Sequence, residues 1–236
     1  MRKRTKIIAT IGPSSSSSSK LNKMILEGVD VFRINMSHSS IAQTKHIVEQ
    51  LKIESIKLKR PVATMIDLQG QKIRIKDLGK NKYIILRATD EFILDCSLAE
   101  NRGTNKCVGV TYKDLYKHVD VGDEILLSDA IIKLEVTKIN NTKIYTNVLR
   151  GGKLKPHQGL NKKGGGLTLG GITQKDKNDL KQLLKFDIDY VAVSFVRDEK
   201  DIKEVRGIIG KKAVGIIAKI ERAEAISKID EIAEAS

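Results

Sequence analysis

The chain has no tryptophan, only four phenylalanines and five tyrosines, and three prolines in 236 residues. So thin an aromatic supply argues against a platform that stacks unpaired bases, even though a formal net charge of +14 would attract a polyanion. The lysines are spread along the whole length, which reads as a solvated basic surface or as the surroundings of an anionic metabolite. Cys96 and Cys107 are too isolated for a disulfide framework and have no Cys or His partner at zinc spacing, so they read as core thiols. Long apolar runs are missing too: the basic start is followed by residues 7–11, a run that stops at Gly12-Pro13 and is too short for a signal peptide or a membrane span. The expectation is a soluble cytoplasmic protein with neither membrane nor nucleic-acid partners. Its hydrophobic content of 40% suffices for a real core.

What is present is alternation. Residues 6–11, 29–34, 61–67, 188–195 and 214–220 are short runs rich in the β-branched residues that suit buried parallel strands. Helical spacing separates them: residues 20–27, residues 41–59 with Ile47, Leu51, Ile56 and Leu58, and residues 198–209. Thr173-Gln-Lys-Asp176 has the pattern of a capping box at the start of another helix. Residues 223–235 predict one further helix with Ile226, Ile229, Ile232 and Ala233 on one side. The polar run 14–19 reads as a loop whose last serines cap the helix that follows.

Between about residues 70 and 167 the texture changes to short strands at 83–86, 92–95, 106–110, 124–127, 131–138 and 143–148, with Asn140-Asn141 as a hairpin turn. The glycine-rich residues 159–166 read as a return linker. The predicted organisation is therefore α/β: a (β/α)8 TIM-type barrel, incomplete, from residues 1–69 and 168–236, with a small all-β barrel domain inserted at 70–167. Periodicity alone leaves a doubly wound open sheet as the alternative.

Each strand-like run ends on polar residues: Thr10 before Gly12-Pro13, Arg33 with Asn35, Asp67, Ser194 with Phe195 and Arg197, and Lys219 with Glu221. In parallel α/β proteins those ends share the ligand-binding face. Phosphoryl transfer needs cations around the moving group, and Arg33 and Lys219 supply them. Glu221 could hold a divalent metal through oxygen, although its spacing from Lys219 suits a plain ion pair equally well. Asn35, Ser37 and His38 add neutral polar groups beside Arg33. Gly164-Gly165-Gly166 lacks the Lys-Ser/Thr of a phosphate-binding P-loop, and His46, His118 and His157 form no triad pattern.

Taken in order, Lys6-Ile-Ile-Ala-Thr-Ile-Gly-Pro13, Arg33-Ile-Asn-Met-Ser-His38, Asp67-Leu-Gln-Gly70, Ala192-Val-Ser-Phe-Val-Arg197 and Ile216-Ile-Ala-Lys-Ile-Glu221 resemble the pyruvate kinase family, collinearly over essentially the whole chain. The resemblance implies transfer of a phosphoryl group from phosphoenolpyruvate to ADP, giving pyruvate and ATP in the final step of glycolysis, with Mg2+ or Mn2+ required. By the same resemblance Arg33 would hold the substrate phosphate, and Lys219 would stabilise the transferring phosphoryl group and the enolate left behind. Glu221 would be one of two carboxylate ligands of the divalent metal. Ser194 and Phe195 would line the substrate pocket. Asn35, Ser37 and Asp67 match a monovalent cation site, while Pro13, Asn35, His38 and Arg74 match positions that touch nucleotide.

The chain departs from the family in several places. Potassium-dependent members read Asp-Thr-Lys-Gly-Pro-Glu where this chain reads Asp67-Leu-Gln-Gly-Gln-Lys72, so Leu68 removes a hydroxyl and Lys72 brings a fixed ammonium, which implies that K+ is dispensable. Gln71 replaces the proline at the hinge of the inserted lid, and Gln158 aligns with a nucleotide-contacting lysine. The family's Ala-Arg-Gly-Asp block, its later threonine and its allosteric domain are not in this sequence. The sequence therefore reads as the amino-terminal part of such an enzyme, expected to be inactive by itself, prone to aggregate or dependent on a chain carrying further strands. A full-length protein would be a homo-oligomer, typically a tetramer. A non-catalytic remnant that binds anions through Arg33 and Lys219, and a basic interaction protein, are the alternatives.

Overall fold

The computed structural model describes residues 4–167 and 171–236. In chain order the elements are β1 (Ile8–Ile11), α1 (Ser18–Leu26), β2 (Val31–Asn35), α2 (Ile41–Leu58) and β3 (Ala63–Asp67). Then come β4 (Ile84–Leu86), β5 (Glu91–Asp95), β6 (Cys107–Gly109), β7 (Glu124–Leu127), β8 (Ile132–Asn140), β9 (Lys143–Arg150), β10 (Gly152–Leu154) and β11 (Leu160–Lys162). The chain closes with α3 (Gln174–Leu183), β12 (Tyr190–Val193), α4 (Glu199–Ile209), β13 (Gly215–Ala218), α5 (Ala223–Ile226) and α6 (Ile229–Ala235). Two compact units result: Met1–Gln71 with Gly170–Ser236, and Lys72–Leu169. The expected boundary at 167–168 meets residues 168–170, which lie outside the described residues.

The first unit is a parallel sheet of five strands in the order β1-β2-β3-β12-β13, each neighbour the next strand of this unit in sequence. A doubly wound sheet reverses its strand order at a switch point. No reversal occurs here, so the winding is that of a barrel wall. Register brings the strand ends level: Thr10 pairs with Arg33, Asn35 with Asp67, and Asp67 with Ala192 on the other side. Aspartates tie down the opposite ends, where Asp30 accepts from the Ile7 N–H and Asp189 from the Thr64 N–H, both at 2.7 Å.

Packing follows the helical stripe only in part. In α2, Ile47, Val48 and Leu51 are buried, but Ile56 is 69% exposed because five residues beyond Leu51 carry it about 140° round the helix. Glu54 takes the next buried place and is held by Ser18, Asn22 and Lys57. Ser17 occupies the N-cap position of α1 without a side-chain capping bond, and the hydroxyl of Ser18 turns to Glu54. Reciprocal capping boxes open α2 (Ser40 with Gln43) and α3 (Thr173 with Asp176). The single helix expected over 223–235 is broken into α5 and α6, where the Ser227 hydroxyl bonds back to the Glu224 carbonyl at 3.1 Å. Ile226 and Ile229 are exposed as a consequence, and Ile232 alone of the three isoleucines is buried.

The second unit holds a six-stranded sheet, β11-β7-β8-β9-β5-β6, and the pair β10-β4, around its own core of residues such as Ile75, Leu78, Phe92 and Leu94. Part of the supposed return linker is strand: β11 pairs antiparallel with β7. Short strands of this kind carry too few alternations to stand out in sequence. The hairpin turn lies one residue later than expected, since Asn140 pairs with Lys143 and Asn141 takes the left-handed conformation at φ 51°.

Candidate active site

At the carboxyl ends of the five parallel strands, one buried carboxylate gathers the charges. Asp67, the last residue of β3, is 2% exposed. Arg33 of β2 donates to its Oδ2 through Nε at 2.8 Å and also through Nη2, while Arg33 Nη1 donates to Thr10 Oγ1 at 2.8 Å. From the other side Lys219, just past β13, places Nζ 3.2 Å from Oδ1 and 3.3 Å from Oδ2. Two cations thus share one anion, and the arginine and lysine side chains remain about a third exposed. Both cations therefore keep an open side towards an incoming anion.

Ser194, directly after β12 and 3% exposed, completes the cradle. Its hydroxyl stands 2.7 Å from the Leu68 carbonyl, 3.2 Å from Asp67 Oδ1 and 3.0 Å from Lys219 Nζ. The next residue, Phe195, has φ 58°, a left-handed conformation that costs a non-glycine residue roughly 1–2 kcal/mol. Its N–H donates to Glu221 Oε2 at 3.2 Å. Glu221 Oε1 lies 3.4 Å from Lys219 Nζ, so the plain ion pair does form, alongside the ammonium's bonds to Asp67 and Ser194. Strand alternation is not what aligns them, because β13 ends at Ala218 before either residue.

The structure brings Arg33, Asp67, Ser194, Phe195, Lys219 and Glu221 together. Asn35 ends β2 with its Oδ1 accepting from the Ser37 N–H at 2.9 Å. Pro13 and His38 are exposed residues of the turns after β1 and β2. Arg74 and Lys72 belong to the other unit, where Arg74 donates to the His157 carbonyl at 2.9 Å and the Lys72 ammonium stands 3.9 Å from Asp129. Among the described residues no group of three or more His, Cys, Asp or Glu side chains converges on one point. Glu221 is a single carboxylate, which fits a magnesium ion that completes its shell with water and substrate oxygens.

Sequence reasoning missed the support behind this face. Gly70, at φ 64°, lets the chain pass so close that a Cβ there would stand 2.9 Å from Ser194 Cβ and 3.1 Å from Phe195 Cδ2. Asp201 of α4 binds the Arg197 backbone N–H at 3.0 Å and its guanidinium at 2.9 Å. Burial opposes the Asp201 charge, but hydrogen bonds from Arg197, together with the Gly171 N–H, prevail and hold the carboxyl below its ordinary value. A Cβ on Gly171 would come within 2.3 Å of that carboxylate. The i,i+4 spacing of Arg197 and Asp201 was the available signal; Gly171 gave none.

These features define a βα-wound domain with two partly exposed cations gathered on a buried carboxylate at the carboxyl ends of its strands. The sequence matches the family described as pyruvate kinase, barrel domain, over residues 2–236. It is 44% identical over 226 residues to a pyruvate kinase of Buchnera aphidicola subsp. Schizaphis graminum, covering 95% of this chain and 47% of that protein. Pyruvate kinase II of Salmonella typhimurium is 38% identical over 226 residues, with 95% and 47% covered, and the pyruvate kinase of Staphylococcus aureus 38% over 240 residues, with 100% and 40% covered. The chain belongs to the pyruvate kinase family, and it spans about half the length of the curated relatives it matches. Among the described residues no helix is long and apolar enough to cross a membrane.

Proposed function

We propose that this chain carries the phosphoryl-transfer site of a pyruvate kinase, acting on phosphoenolpyruvate and ADP to give pyruvate and ATP. The observation that carries the reading is the shared carboxylate: Asp67 fixes Arg33 and Lys219 on either side of itself, which presents two cations to a single anion. Arg33 takes the substrate phosphate. Lys219 faces the phosphoryl group in flight and the enolate oxygen on which charge develops, where a preorganised cation lowers the barrier most. Glu221 supplies one oxygen ligand to Mg2+ or Mn2+, whose chemistry when bound is to neutralise phosphate charge. Phe195 bounds the pocket. Pro13, Asn35 and His38 are the nucleotide positions of the first unit in this reading; the compact unit Lys72–Leu169, which carries the further nucleotide position Arg74, is built of strands, as an inserted all-β lid would be.

Potassium is dispensable in this reading. Both oxygens of Asp67 are engaged by Arg33 and Lys219, and the side chain of the neighbouring Leu68 is a buried alkyl chain with no oxygen to offer. A cytoplasmic homo-oligomer is proposed for the whole protein. The test is a lactate-dehydrogenase-coupled assay of a whole protein that contains this segment, with phosphoenolpyruvate, ADP and Mg2+. Pyruvate must form only when all three are present, and Lys219→Met must lower the rate by about 10²–10³-fold, the usual effect of removing one preorganised donor. A Lys219→Met protein as fast as the parent sinks the assignment.

A further inference from the structure

We propose that Ser194 and Phe195 form one positioning device, which sets the ammonium of Lys219 and the carboxylate of Glu221 in mutual register from the neighbouring strand. The proposal rests on the reading of Lys219 and Glu221 as the working charged pair. Ser194 has a single hydroxyl proton, and its shortest acceptor is the Leu68 carbonyl at 2.7 Å. With that proton committed, the oxygen's lone pairs face Lys219 Nζ at 3.0 Å and accept from it. One residue on, the Phe195 N–H meets Glu221 Oε2 at 3.2 Å, and the left-handed φ of Phe195 sets the path by which the chain leaves that contact. A right-handed or extended Phe195 would send the following chain another way, and the turn that holds Ser194 and this N–H in place would have to shift.

The strain therefore has a consequence at β13. One turn touches both members of the charged pair, through a side chain for one and through a main-chain donor for the other. Gly70 is the third part. It leaves room for the turn, since a Cβ there would meet Ser194 Cβ at 2.9 Å and the Ser194 carbonyl oxygen at 3.1 Å. Phe195 thus matters here by its φ as well as by the ring that bounds the pocket, and Ser194 acts through Lys219 as a positioning residue.

The test reads Lys219 directly and does not depend on turnover. The chain is labelled with pyridoxal 5′-phosphate, trapped with borohydride and mapped by peptide, with Lys175 of α3 as internal standard. Ser194→Ala is expected to raise Lys219 labelling at least threefold with Lys175 unchanged, because the ammonium loses a fixed partner. Phe195→Gly is expected to stay within twofold of the parent, since glycine adopts positive φ freely, whereas Phe195→Val, for which that region is closed, labels as Ser194→Ala does. If Ser194→Ala does not fold by circular dichroism, the two Phe195 variants decide alone. Equal labelling of Phe195→Gly and Phe195→Val, or of Ser194→Ala and the parent, overturns the device. In turnover of the whole protein, Ser194→Ala lowers kcat at least tenfold with KM within about twofold. A whole parent protein that makes no pyruvate would count against the functional reading and leave the labelling result to judge the device.

Discussion

At the scale of single residues the site turns on Asp67, a buried carboxylate with a cation on each side. Removing the carboxylate leaves two neighbouring cations unpaired, a cost that solvent reduces to about 1–3 kcal/mol because both are about a third exposed. Asp67→Ala is therefore expected to lose that much stability in urea unfolding, and a change below about 1 kcal/mol would show that Arg33 and Lys219 find other partners. Rates in potassium and in an equal concentration of tetramethylammonium are expected to agree within twofold, with a markedly faster rate in potassium as the contrary result. Most of these residues were legible in the sequence, because chemistry at strand ends places charged and hydroxyl residues directly after β-branched runs. Their bonding was not. Nothing in the order of residues says that Ser194 leans on the Leu68 carbonyl, or that Phe195 is left-handed, since both depend on how closely Gly70 passes.

At the scale of elements, the ends decide more than the interiors. The caps of α2 and α3 are reciprocal, and Thr173→Ala is expected to cost about 1 kcal/mol in thermal or urea unfolding. The capping pattern at Thr173 is readable as a motif, and the box at Ser40 uses Gln43, an amide that the same motif admits. The break between α5 and α6 was invisible to helical periodicity, which continues through Ser227 without interruption. Asp201 links α4 to the segment at Gly171 and has a pH signature. Its carboxyl is held below the unfolded value of about 3.9, so its stabilisation is present above that pH and disappears as pH falls through the lower folded value. Melting temperatures measured from pH 7 to pH 3 are expected to fall less steeply at the acid end in Asp201→Asn, from a lower starting point. Parallel acid limbs for the two proteins would remove Asp201 from that account.

At the scale of the whole molecule, the sequential strand order is what gives the site its logic. A sheet wound in one direction delivers every strand end to one face, so residues as far apart in sequence as Arg33 and Lys219 meet on one carboxylate. Among the described residues β1 pairs only with β2, and β13 only with β12. Open parallel edges recruit further strands, and the chain by itself is expected to self-associate in a concentration-dependent way in sedimentation velocity. A single monomeric boundary at all concentrations would show that the edges are protected. The central claim is that the Arg33–Asp67–Lys219 arrangement receives the phosphate of phosphoenolpyruvate. Isothermal titration of this chain with phosphoenolpyruvate and Mg2+ tests it most directly: one molecule should bind per chain, and Arg33→Met should weaken binding at least tenfold. No binding by the parent chain, or the same affinity in Arg33→Met, would contradict it.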